Sequence, residues 1–170
     1  YRELYKWSIK KIPNFWSEIL EYTEVKYSGD AGNVLSDLEM KPGLKWFPNI
    51  SLNFAENLLK HKNDELAIIS KNENSDLVKI TYNELYLSVA KLAYSLKKLG
   101  LKQGDRVAAV LPNSHEAVIA MLATTSIGAI WSSCSPDFGI ASVTDRFKQI
   151  EPKFIFSIHS YYYNGKSFDF

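Results

Sequence analysis

Four small polar side chains, Ser132, Ser133, Cys134 and Ser135, follow the apolar Gly128-Ala129-Ile130-Trp131 and lead into Pro136-Asp137-Phe138-Gly139. In an open α/β sheet, ligands meet the protein at the carboxyl ends of strands, so such a cluster marks a candidate binding edge at Ser135, Asp137 and Gly139. Nucleophilic chemistry is the first reading to test. A serine or cysteine nucleophile needs an adjacent base, and His115 and His159 stand in other segments. The strained Gly-x-Ser-x-Gly elbow is also absent. Asp137 reads as a turn former and Cys134 as a small packed residue, so the catalytic assignment on this chain is none.

The second candidate is Asn164-Gly165-Lys166. Gly165-Lys166-Ser167 resembles the end of a phosphate loop, but Ser160 replaces the upstream glycine and Tyr161-Tyr162-Tyr163 fill the place of a cradle of free amides. It is not a Walker loop. A turn carrying an ammonium group after the apolar Phe154–Ile158 could still contact a phosphate, or be a plain surface turn; both readings stay open. A dinucleotide fingerprint is excluded, since Gly100 and Gly104 lie before a strand whereas the motif must follow one.

The elements that must position these residues are legible from Glu65 onward. Leu66–Ile69 and Leu77–Ile80 flank the polar link 71–76, which predicts two paired strands. Thr81-Tyr82-Asn83-Glu84 is a capping box, and Leu85, Val89, Leu92, Leu96 and Leu99 then draw one apolar stripe facing a sheet, ended by Gly100. Val107–Leu111 is continuously apolar, as in a strand covered on both faces, and Pro112 closes it. Asn113–Glu116 predicts a second capping pair, opening a helix through Val118, Met121, Leu122 and Thr125 to Gly128. A strand at Ala129–Ser133, a helix at Ser142–Ile150 stopped by Pro152, and a strand from Phe154 complete the pattern. The alternation defines an α/β fold, a mostly parallel sheet flanked by helices.

Residues 1–62 have another texture. Aromatics are dense, and Gly29, Gly32, Pro42, Gly43 and Pro48 make Tyr27–Pro48 an irregular path. Helices are expected at Asn14–Tyr22, with Asn14 as cap, and over Ser51–His61. This part reads as an irregular, aromatic-rich helical extension whose rings are packing anchors.

Bulk properties narrow the partners. The 170 residues suffice for one core, burying roughly 70% of the unfolded-chain surface. Lys+Arg 20 against Asp+Glu 19 leaves no charge footprint for nucleic acid or an anionic membrane. No apolar run approaches the roughly 20 residues of a membrane span. The single cysteine excludes an intrachain disulfide, and His61, His115 and His159 lack metal-ligand spacing. The chain opens on Tyr1 rather than Met, which leaves room for an upstream portion.

Several segments together resemble the acyl-adenylate-forming ligase superfamily: Trp46-Phe47-Pro48 with Leu52–Leu59, Ile80–Leu85, Leu111-Pro112-Asn113, Asp145-Arg146-Phe147, and Ile150-Glu151-Pro152-Lys153. Trp131–Gly139 and Tyr163–Lys166 are similar to the branch that ligates acetoacetate to coenzyme A. The resemblance implies an acid–thiol ligase using ATP, CoA and Mg²⁺ on acetoacetate, in the cytoplasm, with the remainder of its own chain as its protein partner. It further implies that 1–62 is an N-terminal extension of acyl-CoA synthetase type and that 63–170 is the first, incomplete part of the AMP-binding domain. The family's phosphate loop, ribose-binding acid and catalytic lysine match nothing here, so they are expected beyond Phe170 and this piece alone is expected to be inactive. By position, Asn164, Gly165 and Lys166 match a basic turn that meets the phosphate end of CoA, though Tyr163 stands where a second basic residue is found. The same resemblance suggests a pantetheine path past Ser135, Asp137 and Gly139. An acetyl- or other short-chain acyl-CoA synthetase, and a non-catalytic CoA-binding or interaction module, are the alternatives.

Overall fold

The computed structural model describes residues 1–37, 39 and 41–169, and the chain divides into two units, one over residues 1–53 and one from Phe54 on. In the first, α1 (Arg2–Lys10) and α2 (Ile12–Tyr22) follow each other almost directly. Pro13 falls in the first turn of α2, where its missing amide costs nothing, and the cap position is Lys11 rather than Asn14. The earlier start puts Asn14 inside the helix. Of the irregular stretch, Leu38 and Met40 lie outside the described residues; its described remainder carries the two-residue strand β1 (Ser28–Gly29), which pairs with β2 (Ile50–Ser51) just beyond it, and a bridge from Leu35 to Trp46.

The rings of this unit do pack on one another. Trp7, Phe15, Trp16 and Trp46 form a chain of edge-to-face contacts with centroids 5.2, 5.5 and 5.6 Å apart, the geometry the aromatic quadrupole favours. Gly29 makes the β1–β2 crossing possible. Its φ is +105°, and a Cβ there would lie 2.2 Å from the carbonyl oxygen of Asn49.

In the second unit the helix expected over Ser51–His61 contracts to α3 (Phe54–Leu58), which with the following residue buries Ala55 and Leu59. The hairpin β3 (Leu66–Ser70) and β4 (Val78–Thr81) is antiparallel as expected. α4 (Tyr82–Lys98) opens on the predicted capping box: the Glu84 amide donates to the Thr81 hydroxyl at 3.2 Å, and the Thr81 amide donates to Glu84 Oε2 at 2.8 Å. Leu85, Val89 and Leu96 are buried along the stripe. Leu99 is 67% exposed, because it sits at the C-cap where the chain turns into Gly100, at φ +90°. α4 packs on α5 as well as on the β3–β4 hairpin.

A three-stranded parallel sheet follows, ordered β6-β5-β7, from β5 (Arg106–Val110), β6 (Ile130–Cys134) and β7 (Phe154–Ser157). The central strand is covered on both faces. Val107 belongs to the larger core with Leu85, Val89, Leu96, Leu122 and Ala129, whereas Ala108 and Val110 join Cys134, Val143 and Phe147 on the other side. Cys134 is thus a packed core residue.

α5 (His115–Ser126) buries Ala120, Leu122, Ala123 and Thr124, a broader face than one stripe, because it touches α3, α4, β3 and β6. Its cap, Ser114, makes no side-chain capping bond, so the capping pair expected at Asn113–Glu116 does not form. α6 (Gly139–Ile150) starts three residues before the predicted Ser142, directly after a 3-10 turn at Pro136–Phe138, and ends where Glu151 turns left-handed ahead of Pro152.

The last described segment is an antiparallel hairpin absent from the sequence reading: β8 (Ser160–Tyr163) and β9 (Lys166–Asp169). The Phe170 position lies outside the described residues.

Candidate functional site

Because β5, β6 and β7 run parallel, the sheet has an amino end and a carboxyl end, and the two ends differ. At the amino end, Lys153, just before β7, donates to the Gly100 carbonyl at 2.6 Å and pairs with Asp105 at 2.8 Å. Arg106 adds a bond from its Nε to the Ile150 carbonyl. The Lys153 ammonium, then the Lys102 amide, holds the Asp105 carboxyl below the ordinary range. This end is tied shut.

The carboxyl end is open. A cavity of about 660 Å³ lies there, walled by Leu111 and Pro112 after β5, by Phe156 to Ile158 at the end of β7, by Ser160 to Tyr162 of β8, and by Asn72, Asn74 and Ser75 of the β3–β4 link. Ser114 and Glu116 bring the start of α5 to the same wall. Burial works against the charge of Glu116, but bonds from Ser114 and from its own amide, with His115 beside it, hold its carboxyl below the usual value. An apolar pocket with a few converging polar groups at this end of an α/β sheet is the expected place for a small ligand.

None of the six residues expected from sequence lines this cavity; Asp137 reaches its wall through Tyr161, and Asn164 and Gly165 bond to Glu73, which lies between the wall residues Asn72 and Asn74. Asp137 accepts from the Ser135 hydroxyl at 2.8 Å and from the Tyr161 hydroxyl at 2.9 Å, and Tyr161 is a wall residue. The Asp137 bond, followed by burial, raises the Tyr161 phenol above its ordinary value. Gly139, at φ +72°, turns the chain from the 3-10 turn into α6.

Asn164 and Gly165 form the two-residue turn between β8 and β9, with φ +49° and +74°. Both central residues are left-handed, as in a type I′ turn, where Asn-Gly is favoured. Their main-chain amides point the same way and donate to Oε1 and Oε2 of Glu73, each at 2.9 Å. Those two amides, Gly165 first, hold the Glu73 carboxyl below its ordinary range. Lys166 opens β9 opposite Tyr163, is exposed, and has no ion-pair partner among the described residues.

The structure therefore joins Ser135 and Asp137 to β8, and Asn164 and Gly165 to the 71–76 link. Tyr161 and Glu73 are the residues that sequence reasoning missed. A signal for the hairpin existed in Asn164-Gly165; none existed for Glu73, which meets Asn164 from 91 residues away. Among the described residues, no group of three or more His, Cys, Asp or Glu side chains could hold a metal, and no helix is long and apolar enough to cross a membrane.

A parallel sheet under helices with a pocket at its carboxyl end is an α/β arrangement of the kind that holds a small ligand there. The chain belongs to the AMP-binding enzyme family, whose profile matches residues 54–166; a profile described as the acetyl-coenzyme A synthetase N-terminus matches residues 1–58. Within that family its relatives include acetoacetyl-CoA synthetases. The chain is 47% identical to the Gallus gallus enzyme over 98% of its own length and 42% identical to that of Rhizobium meliloti over 99%. A solved acetoacetyl-CoA synthetase from Streptomyces lividans superposes on 96% of the chain with TM-score 0.89 and 42% identity. The chain spans about a quarter of each: 25%, 26% and 26% of their lengths.

Proposed function

We propose that this chain contributes the amino-terminal part of an ATP-dependent ligase that joins acetoacetate to coenzyme A. The observation that carries this reading is the 42–47% identity to acetoacetyl-CoA synthetases over nearly the whole chain. In the reaction, a carboxylate oxygen of acetoacetate attacks the α-phosphorus of ATP, forming acetoacetyl-adenylate and releasing pyrophosphate. The thiol of CoA then attacks the acyl carbon, losing its proton, and AMP leaves. Adenylation supplies the leaving group that a free carboxylate lacks.

On this reading, residues 1–62 are the extension of acyl-CoA synthetase type, residues 63–170 begin the AMP-binding domain, and the enzyme works in the cytoplasm. Among the described residues no group of three or more His, Cys, Asp or Glu side chains could hold Mg²⁺, so no step through the metal is assigned to this chain. Coenzyme A does have a fitting feature: paired amides at Asn164 and Gly165 that donate to an anion, followed in sequence by the exposed Lys166. These residues would hold a phosphate of CoA, with pantetheine passing Ser135, Asp137 and Gly139.

Thioester formation by the natural-length polypeptide tests the reading. Acetoacetate is expected to be used in preference to acetate, and Lys166→Ala to raise KM for CoA with little change in kcat. The 170-residue chain alone is expected to show no acetoacetate-dependent ATP–pyrophosphate exchange. Exchange by that chain, or a natural-length protein that forms no acetoacetyl thioester, overturns the proposal.

A further inference from the structure

The carboxylate on the Asn164–Gly165 turn is not a local capping contact. Glu73 lies in the link between β3 and β4, whereas the turn closes the β8–β9 hairpin. The neighbours of Glu73 on either side, Asn72 and Asn74, line the 660 Å³ cavity, and so do Ser160, Tyr161 and Tyr162 of the hairpin. One side chain thus fastens two walls of the same cavity to each other. It does so through both carboxylate oxygens and two successive amides, the arrangement in which backbone N–H groups take a phosphate.

We propose that Glu73 is a resident anion in this cradle, so that a phosphate group enters only by displacing its carboxylate. The ligand class is a phosphate monoester or pyrophosphate, and assigning it to CoA rests on the reading given under Proposed function. Two features make displacement feasible. Glu73 is exposed, so its released carboxylate returns to water without a burial cost. Lys166, beside the turn, is exposed and favours an incoming dianion over a carboxylate of single charge.

An internal competitor lowers apparent affinity by the fraction of molecules in which the cradle is free. If Glu73 occupies it about nine-tenths of the time, removing Glu73 strengthens binding roughly tenfold. Opening the contact would also free the two walls from each other, coupling phosphate arrival to access to the cavity.

The test titrates inorganic pyrophosphate into natural-length polypeptide labelled with ¹⁵N-glycine, following the amide resonance of Gly165 in wild type, Glu73→Ala and Glu73→Gln. Without ligand, that resonance should differ between wild type and Glu73→Ala. Half-saturation in the alanine variant should come at roughly one tenth of the wild-type concentration, with the glutamine variant, which keeps one acceptor oxygen, in between. An unshifted ligand-free resonance overturns the proposal, as do equal half-saturation points or no saturable shift in any variant. Parallel titrations with CoA separate this inference from the reading it rests on. If pyrophosphate distinguishes the variants while CoA leaves Gly165 unmoved, displacement stands and the CoA assignment falls. If CoA moves Gly165 at the same concentration in all three, the assignment stands and displacement falls.

Discussion

Lys153 ties two strand beginnings together with one ammonium group, holding both the Gly100 carbonyl and Asp105. The depressed pKa of Asp105 makes this contact pH-dependent, with a definite sign. A carboxyl whose folded pKa lies below its unfolded value of about 3.9 stabilises the protein above that value, and the contribution is lost as pH falls through the folded pKa. The gap in urea midpoint between wild type and Lys153→Met should therefore be widest near neutrality and narrow once pH drops below about 4. A gap that stays constant into strong acid would show that the Asp105 charge is not what Lys153 stabilises. Glu73 obeys the same rule of sign, its carboxylate being held by amides rather than by a cation.

Among the elements, α4 and α5 begin in different ways although each has a hydroxyl residue at its cap and an acid in its first turn. At α4 the spacing is Thr81 to Glu84, three residues, and the reciprocal bonds close. At α5 the acid Glu116 stands only two residues after Ser114, and no reciprocal pair forms. Thr81→Ala should cost about 1 kcal/mol of stability in urea unfolding, with Thr81→Ser close to wild type, since the serine hydroxyl reproduces the bond. A loss from Thr81→Ser as large as that from Thr81→Ala would mean that the methyl packing of Thr81, not the box, matters. The β8–β9 hairpin teaches the opposite lesson about spacing. Asn164-Gly165 is a strong hairpin signal, yet followed by Lys166-Ser167 it also mimics the end of a phosphate loop, and the bulky Tyr161–Tyr163 that spoil such a loop pair with Lys166–Phe168 as a ladder.

At the scale of the whole molecule, what could be read from the chain is what is written locally. The apolar run at Val107–Val110 announces a strand buried on both faces, and the core divides its residues between two sides as such a run requires. Ser135 and Asp137 were recognisable as lying at a strand's carboxyl end. The cavity was not, because it is assembled from the 71–76 link, the end of β7 and β8, segments whose meeting no periodicity records. The same holds for Glu73 and for Tyr161. The bond from Tyr161 to Asp137 spans 24 residues, and neither partner looks unusual in its own neighbourhood.

The division of labour between the two ends of the parallel sheet has a thermodynamic consequence. β5 spans five residues, about 16 Å, between the Asp105–Lys153 pair before it and the cavity wall at Leu111 after it. Sites that far apart and without shared partners are expected to be energetically independent. In a double-mutant cycle, Lys153→Ala and Glu73→Ala should each shift the unfolding midpoint by the same amount whether or not the other is present. A coupling clearly above experimental error would reveal β5 as a conductor between the two ends. With no such coupling, the amino end can be stabilised or weakened at will while ligand affinity at the other end stays where it was.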